Sequence, residues 1–285
     1  MKPSIALIGP GKVGCAVGRH LHDSGYPMVA VIGRDRQRTV DACNFIGCSK
    51  TVAGLDLQSA ARAKLILLAV PDDQLEIQAK ELQTTIELSA EQILIHFSGL
   101  HPASLLRAEN STAHHLSIHP LLPFADRQLA YEKLSGCPCA LEGDQNALPL
   151  GRQLITDLGA TAFTIESDSK ALYHASACIA SNFMVTLLAV ARDLLIECGI
   201  DRQKAISLLL PLVQANLDNT KKLGPEAGLT GPIVRGDRGT VQHHLHALKE
   251  STPELLPFYR LLGEKTIELA VKSGRLSPEQ SKNLL

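Results

Sequence analysis

Two sets of residues in this 285-residue chain have the types and spacing of working groups. The first is Gly9-Pro10-Gly11-Lys12-Val13-Gly14, which fits G-x-G-x-x-G and directly follows a short apolar run at residues 5–8. Between a strand and a helix, the first glycine of this pattern permits a tight turn. The second lets the backbone approach a pyrophosphate, and the third lets the helix pack close to the strand. The anion would rest on the N–H groups at the helix start. Gly9, Pro10, Gly11, Lys12, Val13 and Gly14 are therefore expected to bind a dinucleotide. The second set lies far along the chain. Lys170 and His174 are four apart in a helical pattern, and Ser181 is seven beyond His174, which puts all three on one face with Asn182 one position round. A lysine and a histidine so placed can donate a proton and stabilise oxyanion charge. The competing reading is a solvated lysine at a helix start beside a structural histidine.

The second apolar run, residues 28–32, meets Gly33-Arg34-Asp35-Arg36-Gln37-Arg38. At this position an acidic side chain holds a ribose 2'-hydroxyl, whereas an arginine pairs with a 2'-phosphate. Arg34 comes first and Arg36 and Arg38 extend a basic rim, so NADP(H) is expected in preference to NAD(H), while Asp35 leaves NAD(H) open. In an open parallel sheet the ligand lies beyond the carboxyl ends of the strands. Val70 and Pro71 are expected there against the cofactor, with Ser98 and His119 facing the nicotinamide or substrate. Asp72 and Asp73 read as helix caps. In the loop at residues 230–237, Arg235 can hold a substrate carboxylate bidentately, and Asp237 can orient it or cap the next helix. The alternative there is an internal Arg-Asp pair. His114, His115 and His119, the group His243, His244 and His246, and Cys137-x-Cys139 all lack the spacing of a metal site, so no metal is expected.

These residues need elements to position them. Strand-like runs at 4–8, 28–32, 65–70, 93–97, 115–118, 137–141 and 162–165 alternate with helical patterns, which implies a mostly parallel, doubly wound α/β sheet of the Rossmann type. Beyond residue 166 the texture is helical only, around 169–198, 202–219, 240–249, 253–272 and 277–284. The expected division is a dinucleotide-binding domain over 1–167 and an all-α domain for substrate and dimerisation over 168–285. Composition narrows the partners. A net charge of -1, 4% aromatic residues and no Trp argue against nucleic acid. No run approaches the ~18 consecutive apolar residues of a membrane helix, and the first apolar run is too short for a signal peptide. Seven scattered cysteines suit reduced thiols, so a cytoplasmic protein with a small-molecule substrate and no membrane partner is expected.

The chain resembles bacterial two-domain proteins that join a Rossmann-like domain to a helical C-terminal domain of unknown function. These are relatives of ketopantoate reductase, pyrroline-5-carboxylate reductase and 6-phosphogluconate dehydrogenase. The resemblance rests on His119-Pro120-Leu121-Leu122-Pro123-Phe124-Ala125-Asp126, on Tyr173-His174-Ala175-Ser176-Ala177 with Ala180-Ser181-Asn182, and on Leu229-Thr230-Gly231-Pro232-Ile233-Val234-Arg235-Gly236-Asp237. It implies a 6-phosphogluconate dehydrogenase-like helical domain over the nicotinamide, and a homodimer through the C-terminal helices. Some of these relatives carry a catalytic Lys-x-x-x-Asn pair; here Lys170 takes the lysine position and His174 stands in place of Asn. The activity so implied is an NADP-dependent reductase of a small oxo or imino acid. Hydride would go to the carbonyl or imine carbon, Lys170 and His174 would be catalytic, and Ser98, His119, Ser181, Asn182, Arg235 and Asp237 would bind substrate. The alternatives are a non-catalytic NADP-binding redox sensor or scaffold, and a dehydrogenase oxidising a 3-hydroxy acid.

Overall fold

A computed structural model describes residues 1–108, 111–282 and 284–285. The apolar runs form β1 (Ile5–Ile8), β2 (Met28–Ile32), β3 (Ala53–Gly54), β4 (Leu65–Leu68), β5 (Ile93–His96), β6 (His114–Pro120), β7 (Pro138–Gly143) and β8 (Thr161–Thr164). They make one sheet in the order β3-β2-β1-β4-β5-β6-β7-β8. Every neighbouring pair is parallel except β6 with β7. β1, β2 and β4 are apolar at every position because both faces are covered. Ile5, Leu7, Leu65 and Leu67 pack with Val17 and Leu21 on one face, whereas Ala6, Ile8, Ile66 and Leu68 pack with Leu75, Ala79 and Leu82 on the other. Those partners come from α1 (Lys12–Asp23) and α3 (Asp72–Thr85); α2 (Arg36–Ile46), α4 (Arg127–Leu134) and α5 (Leu148–Asp157) complete the layers.

Three local expectations change. The two-residue β3 lacks a sequence signal of its own. β6 runs through Pro120, so His119 lies inside the strand end rather than beyond it. Asp72 and Asp73 are not caps: Pro71 holds the N-cap position, and the two carboxylates sit in the first turn, where they complement the helix dipole.

α4 and α5 return to residues 2–26. His20 Nε2 lies 2.7 Å from the Tyr131 carbonyl, and the Tyr131 hydroxyl donates to Asp23 at 2.9 Å. Ser24 Oγ donates to the Asp157 carbonyl at 2.8 Å, and the Asp157 carboxylate accepts from Tyr26 at 2.6 Å and pairs with Lys2 at 3.0 Å.

The chain divides into two compact units, Met1–Asn182 and Phe183–Leu285. The first therefore reaches past residue 167 to include α6 (Lys170–Cys178) and most of a π-helical turn at Ile179–Phe183. The helix stays with the sheet because Lys170 and Tyr173 bond to it. The second unit contains α7 (Met184–Glu197), α8 (Arg202–Gly228), α9 (Arg238–Ser251), α10 (Leu256–Lys272) and α11 (Pro278–Ser281), with no strand among its described residues. α8 runs beyond its expected end and kinks at Gly224, whose φ of 78° breaks helical geometry before Pro225. Arg275 closes its end by donating to the carbonyls of Ala227 and Leu229. One further expectation is qualified. The helical run Ser167–Glu197 contains a window of mean hydropathy 1.6 with none of it buried, so by length and composition it could cross a membrane.

Candidate active site

The glycine turn opens a cleft of about 690 Å³ at the carboxyl ends of β1, β2 and β4. Gly9 has φ +82°, and a Cβ there would lie 2.7 Å from the Ala69 carbonyl oxygen; at Gly14 it would meet the Gly9 carbonyl oxygen at 2.6 Å. The turn thus requires glycine at both places. Gly9, Pro10, Gly11, Val70 and Pro71 line the cleft, as do Arg34, Asp35 and Arg38 at its β2 end. Lys12, Val13 and Gly14 stand behind it on α1. Asp35 is the N-cap of α2, its carboxylate accepting from Arg38 N at 2.8 Å. The cleft fits a dinucleotide, with open backbone at Gly11 and cationic side chains where an adenosine ribose would end.

A buried polar cluster occupies the carboxyl ends of β5 and β6. Lys170, only 1% exposed, donates from Nζ to the Ser98 carbonyl at 3.1 Å and to Ser117 Oγ at 2.5 Å. Burial pushes its pKa down to about 8, against the opposing pull of Glu142 and Asp72. Glu142 lies opposite Ser117 across the antiparallel β6/β7 pair. Its carboxylate accepts from Ala103 N at 2.8 Å and Ser167 Oγ at 2.7 Å, so it binds the start of α6 to the loop after β5.

That loop is held from within. Ser98 N donates to His96 Nδ1 at 3.1 Å, and His96 Nε2 lies 3.2 Å from the Pro102 carbonyl, which assigns the His96 proton to Nε2. Burial, helped by the Lys170 charge, pushes His96 down to about 3 and keeps it neutral. Ser98 Oγ accepts from Leu100 N at 3.1 Å and His101 N at 3.0 Å, so this hydroxyl shapes the turn.

Three rings meet above the turn. His119 Nδ1 is 2.7 Å from the Tyr173 hydroxyl, and the His119 and His174 rings stand edge to face at 5.8 Å. Among the described residues His174 Nδ1 is buried without a hydrogen-bond partner, and its Nε2 lies 3.7 Å from Cys178 Sγ. A Cβ on Gly99 would fall 2.4 Å from His174 Nδ1 and 2.9 Å from His119 Nε2, so only glycine lets both imidazoles settle on this turn.

Of the residues expected from sequence, the first unit brings together Lys170, His174, Ser98 and His119. The π turn alters the rest of that helix face. Ser181, half-buried, and Asn182, exposed, both lie within it, where the wider turn breaks their α-helical spacing from His174. Arg235 is exposed in the second unit. Asp237 caps α9 there, accepting from Thr240 N at 3.1 Å and Thr240 Oγ1 at 2.7 Å. Sequence reasoning assigned no role to Ser117, Glu142, His96 or Tyr173. Tyr173 alone had a usable signal, as the neighbour of His174. A separate cavity of about 670 Å³, lined by Arg107, His114, His115 and Asp144, opens at the amino end of β6 and is remote from this chemistry.

A dinucleotide cleft beside a buried polar cluster at the carboxyl edge defines a Rossmann-like protein. Residues 1–120 match the model of the Rossmann-like domain, and residues 137–266 match the domain of unknown function DUF2520. The chain thus joins a Rossmann-like domain to a DUF2520 domain. No curated protein matches it by sequence. Among solved structures, a Thermotoga maritima protein is similar at TM-score 0.74 and 24% identity, covering 95% of this chain and 99% of that one. A Bacteroides fragilis protein provisionally described as an NADP oxidoreductase has TM-score 0.74 and 20% identity, covering 94% and 98%. Plasmodium falciparum pyrroline carboxylate reductase with NADP bound has TM-score 0.61 and 12% identity, covering 98% of each chain. At these identities the likeness establishes a shared fold.

Proposed function

We propose that the protein is an NADP(H)-dependent reductase of a small carboxylate-bearing carbonyl or imine compound, in the manner of ketopantoate or pyrroline-5-carboxylate reductases. The observation that carries this reading is the Lys170 ammonium, buried at the carboxyl edge of a dinucleotide sheet beside two imidazoles. A buried lysine with no direct ion pair among the described residues is costly to keep for structure alone. A bound nicotinamide would supply hydride to the carbonyl or imine carbon. Lys170 sets a positive field where negative charge develops, and His174 delivers the proton. His119 and Asn182 orient the substrate, and Ser98 shapes the wall. The names of the Bacteroides and Plasmodium neighbours agree with this chemistry.

NADP(H) is the cofactor of choice on this reading because the Asp35 carboxylate is committed to capping α2, while Arg34 and Arg38 face the cleft. Arg34→Ala is expected to weaken NADPH binding by about tenfold or more and to leave NADH nearly unchanged, the loss of one charge-assisted contact. Equal losses for both would place the 2'-phosphate elsewhere.

The activity itself is tested by following NADPH oxidation against ketopantoate, pyrroline-5-carboxylate and other oxo and imino acids. Turnover with at least one is expected. Tight NADPH binding with no turnover on any of them would favour a sensor or scaffold, and NADP-dependent oxidation of a 3-hydroxy acid would reverse the direction.

A further inference from the structure

Reduction of a carbonyl or imine needs a group that touches the heteroatom of the bond being reduced, and the rings over Gly99 offer one beyond Lys170 and His174. We propose that His119, held by Tyr173 in its Nε2–H tautomer, donates a hydrogen bond from Nε2 to the substrate carbonyl oxygen or imine nitrogen. This rests on the reductase reading given above.

Geometry gives His119 the position and Tyr173 its proton arrangement. His119 sits at the carboxyl end of β6, followed at once by Pro120. Tyr173 lies on α6, less than one turn after Lys170, whose bonds to Ser98 and Ser117 anchor that helix to the sheet. The phenol meets His119 Nδ1 at 2.7 Å with the rings edge to face at 5.6 Å. A phenol donates far more readily than it accepts, so Nδ1 is the acceptor and the ring proton belongs on Nε2. That nitrogen and His174 Nδ1 converge on Gly99. The buried, unpartnered His174 nitrogen at the same spot is the kind of group a substrate atom satisfies.

The surroundings keep His119 uncharged. The groups facing it are Tyr173, His174, Lys170, Asp72 and His96. Burial, then His174 and Lys170, pushes its pKa down to about 4 against the pull of Asp72. Tyr173 is pushed up to about 12, chiefly by burial, and stays a phenol. A neutral imidazole N–H can polarise a carbonyl without giving up its proton, which leaves proton delivery to His174. The two histidines thus divide the work, and Tyr173 is a positioning residue acting through His119.

The test is nitrogen NMR of the histidine-labelled full chain near pH 7, alone and with NADP+ plus pyruvate as a small 2-oxo acid probe, beside kinetics on whichever substrate turns over. His119 should show the Nε2–H tautomer with no titration down to about pH 5, and its Nε2 signal should move when the probe is added. Tyr173→Phe should mix the tautomers and lower kcat by about tenfold, with NADPH binding and KM unchanged. His119→Ala should cost about a hundredfold in kcat, and His119→Gln should recover part of it because its amide N–H replaces Nε2–H. An Nδ1–H tautomer, an Nε2 signal indifferent to the probe, or full turnover in His119→Ala overturns the proposal even where wild-type NADPH oxidation is intact. Absence of NADPH binding or of turnover counts against the reductase reading, and the tautomer and probe response then decide the His119 assignment separately.

Discussion

Lys170 holds a cation where the fold would prefer none, and its titration makes that cost measurable. Its ordinary pKa is 10.5 and burial lowers it to about 8 in the folded protein. Between these values the unfolded chain binds a proton that the folded chain does not, so the folded state gains stability as pH rises from about 8 to 10.5. Below pH 8 the penalty is present in full. Lys170→Met keeps the length of the side chain and leaves the Ser98 carbonyl its bond from Ser117 at 3.3 Å. The variant should therefore melt above the wild type at neutral pH, with the gap closing towards pH 10.5, and should lose turnover. A lower melting temperature at every pH would mean that the ammonium is there for structure. The same residue shows what a sequence displays and what it hides. Its i, i+4 relation to His174 was legible as helical spacing, whereas its partners were not: Ser98, Ser117 and the cross-strand Glu142 come from other elements, and only tertiary packing assembles them.

At the scale of elements, α2 joins two tasks in one side chain, because Asp35 both caps the helix and borders the cofactor cleft. Replacement with Ser keeps a capping oxygen and removes the charge, so Asp35→Ser should hold the melting temperature while strengthening NADPH binding relative to NADH. Asp35→Ala should lose about 1 kcal/mol of stability with the cap. Thermal melts and paired cofactor titrations separate the two tasks; equal destabilisation by Ser and Ala would sink the capping account. Strong elements were legible here. Continuous apolar runs ending in Gly or Pro gave β1, β2 and β4, and the glycine turn had its strand and helix in place. The π turn at Ile179–Phe183 was not legible, since nothing in Ile-Ala-Ser-Asn-Phe departs from α-helical spacing. The strand at β7 was expected, but its antiparallel direction was hidden, because a buried strand reads the same in either direction.

For the whole molecule, the exposed leucines of the second unit need an explanation. Leu210 and Leu217, seven residues apart on one face of α8, are each about half exposed. We propose that a second copy of the chain covers them, giving a homodimer through the C-terminal helices. Sedimentation at micromolar concentration should show a dimer, and Leu210→Glu with Leu217→Glu should yield monomer; an unaltered monomer in both proteins would remove this interface. The bonds from α4 and α5 back to residues 2–26 have a different consequence, for vectorial synthesis. As the chain leaves a ribosome, β1 and α1 emerge before α4 and α5, so His20, Ser24 and Tyr26 wait for Tyr131 and Asp157. A nascent chain halted at residue 120 would contain the whole Rossmann-like match and none of these closing contacts. The stretch recognisable as a dinucleotide-binding domain is thus shorter than the stretch that must be made before its first helix is tied down.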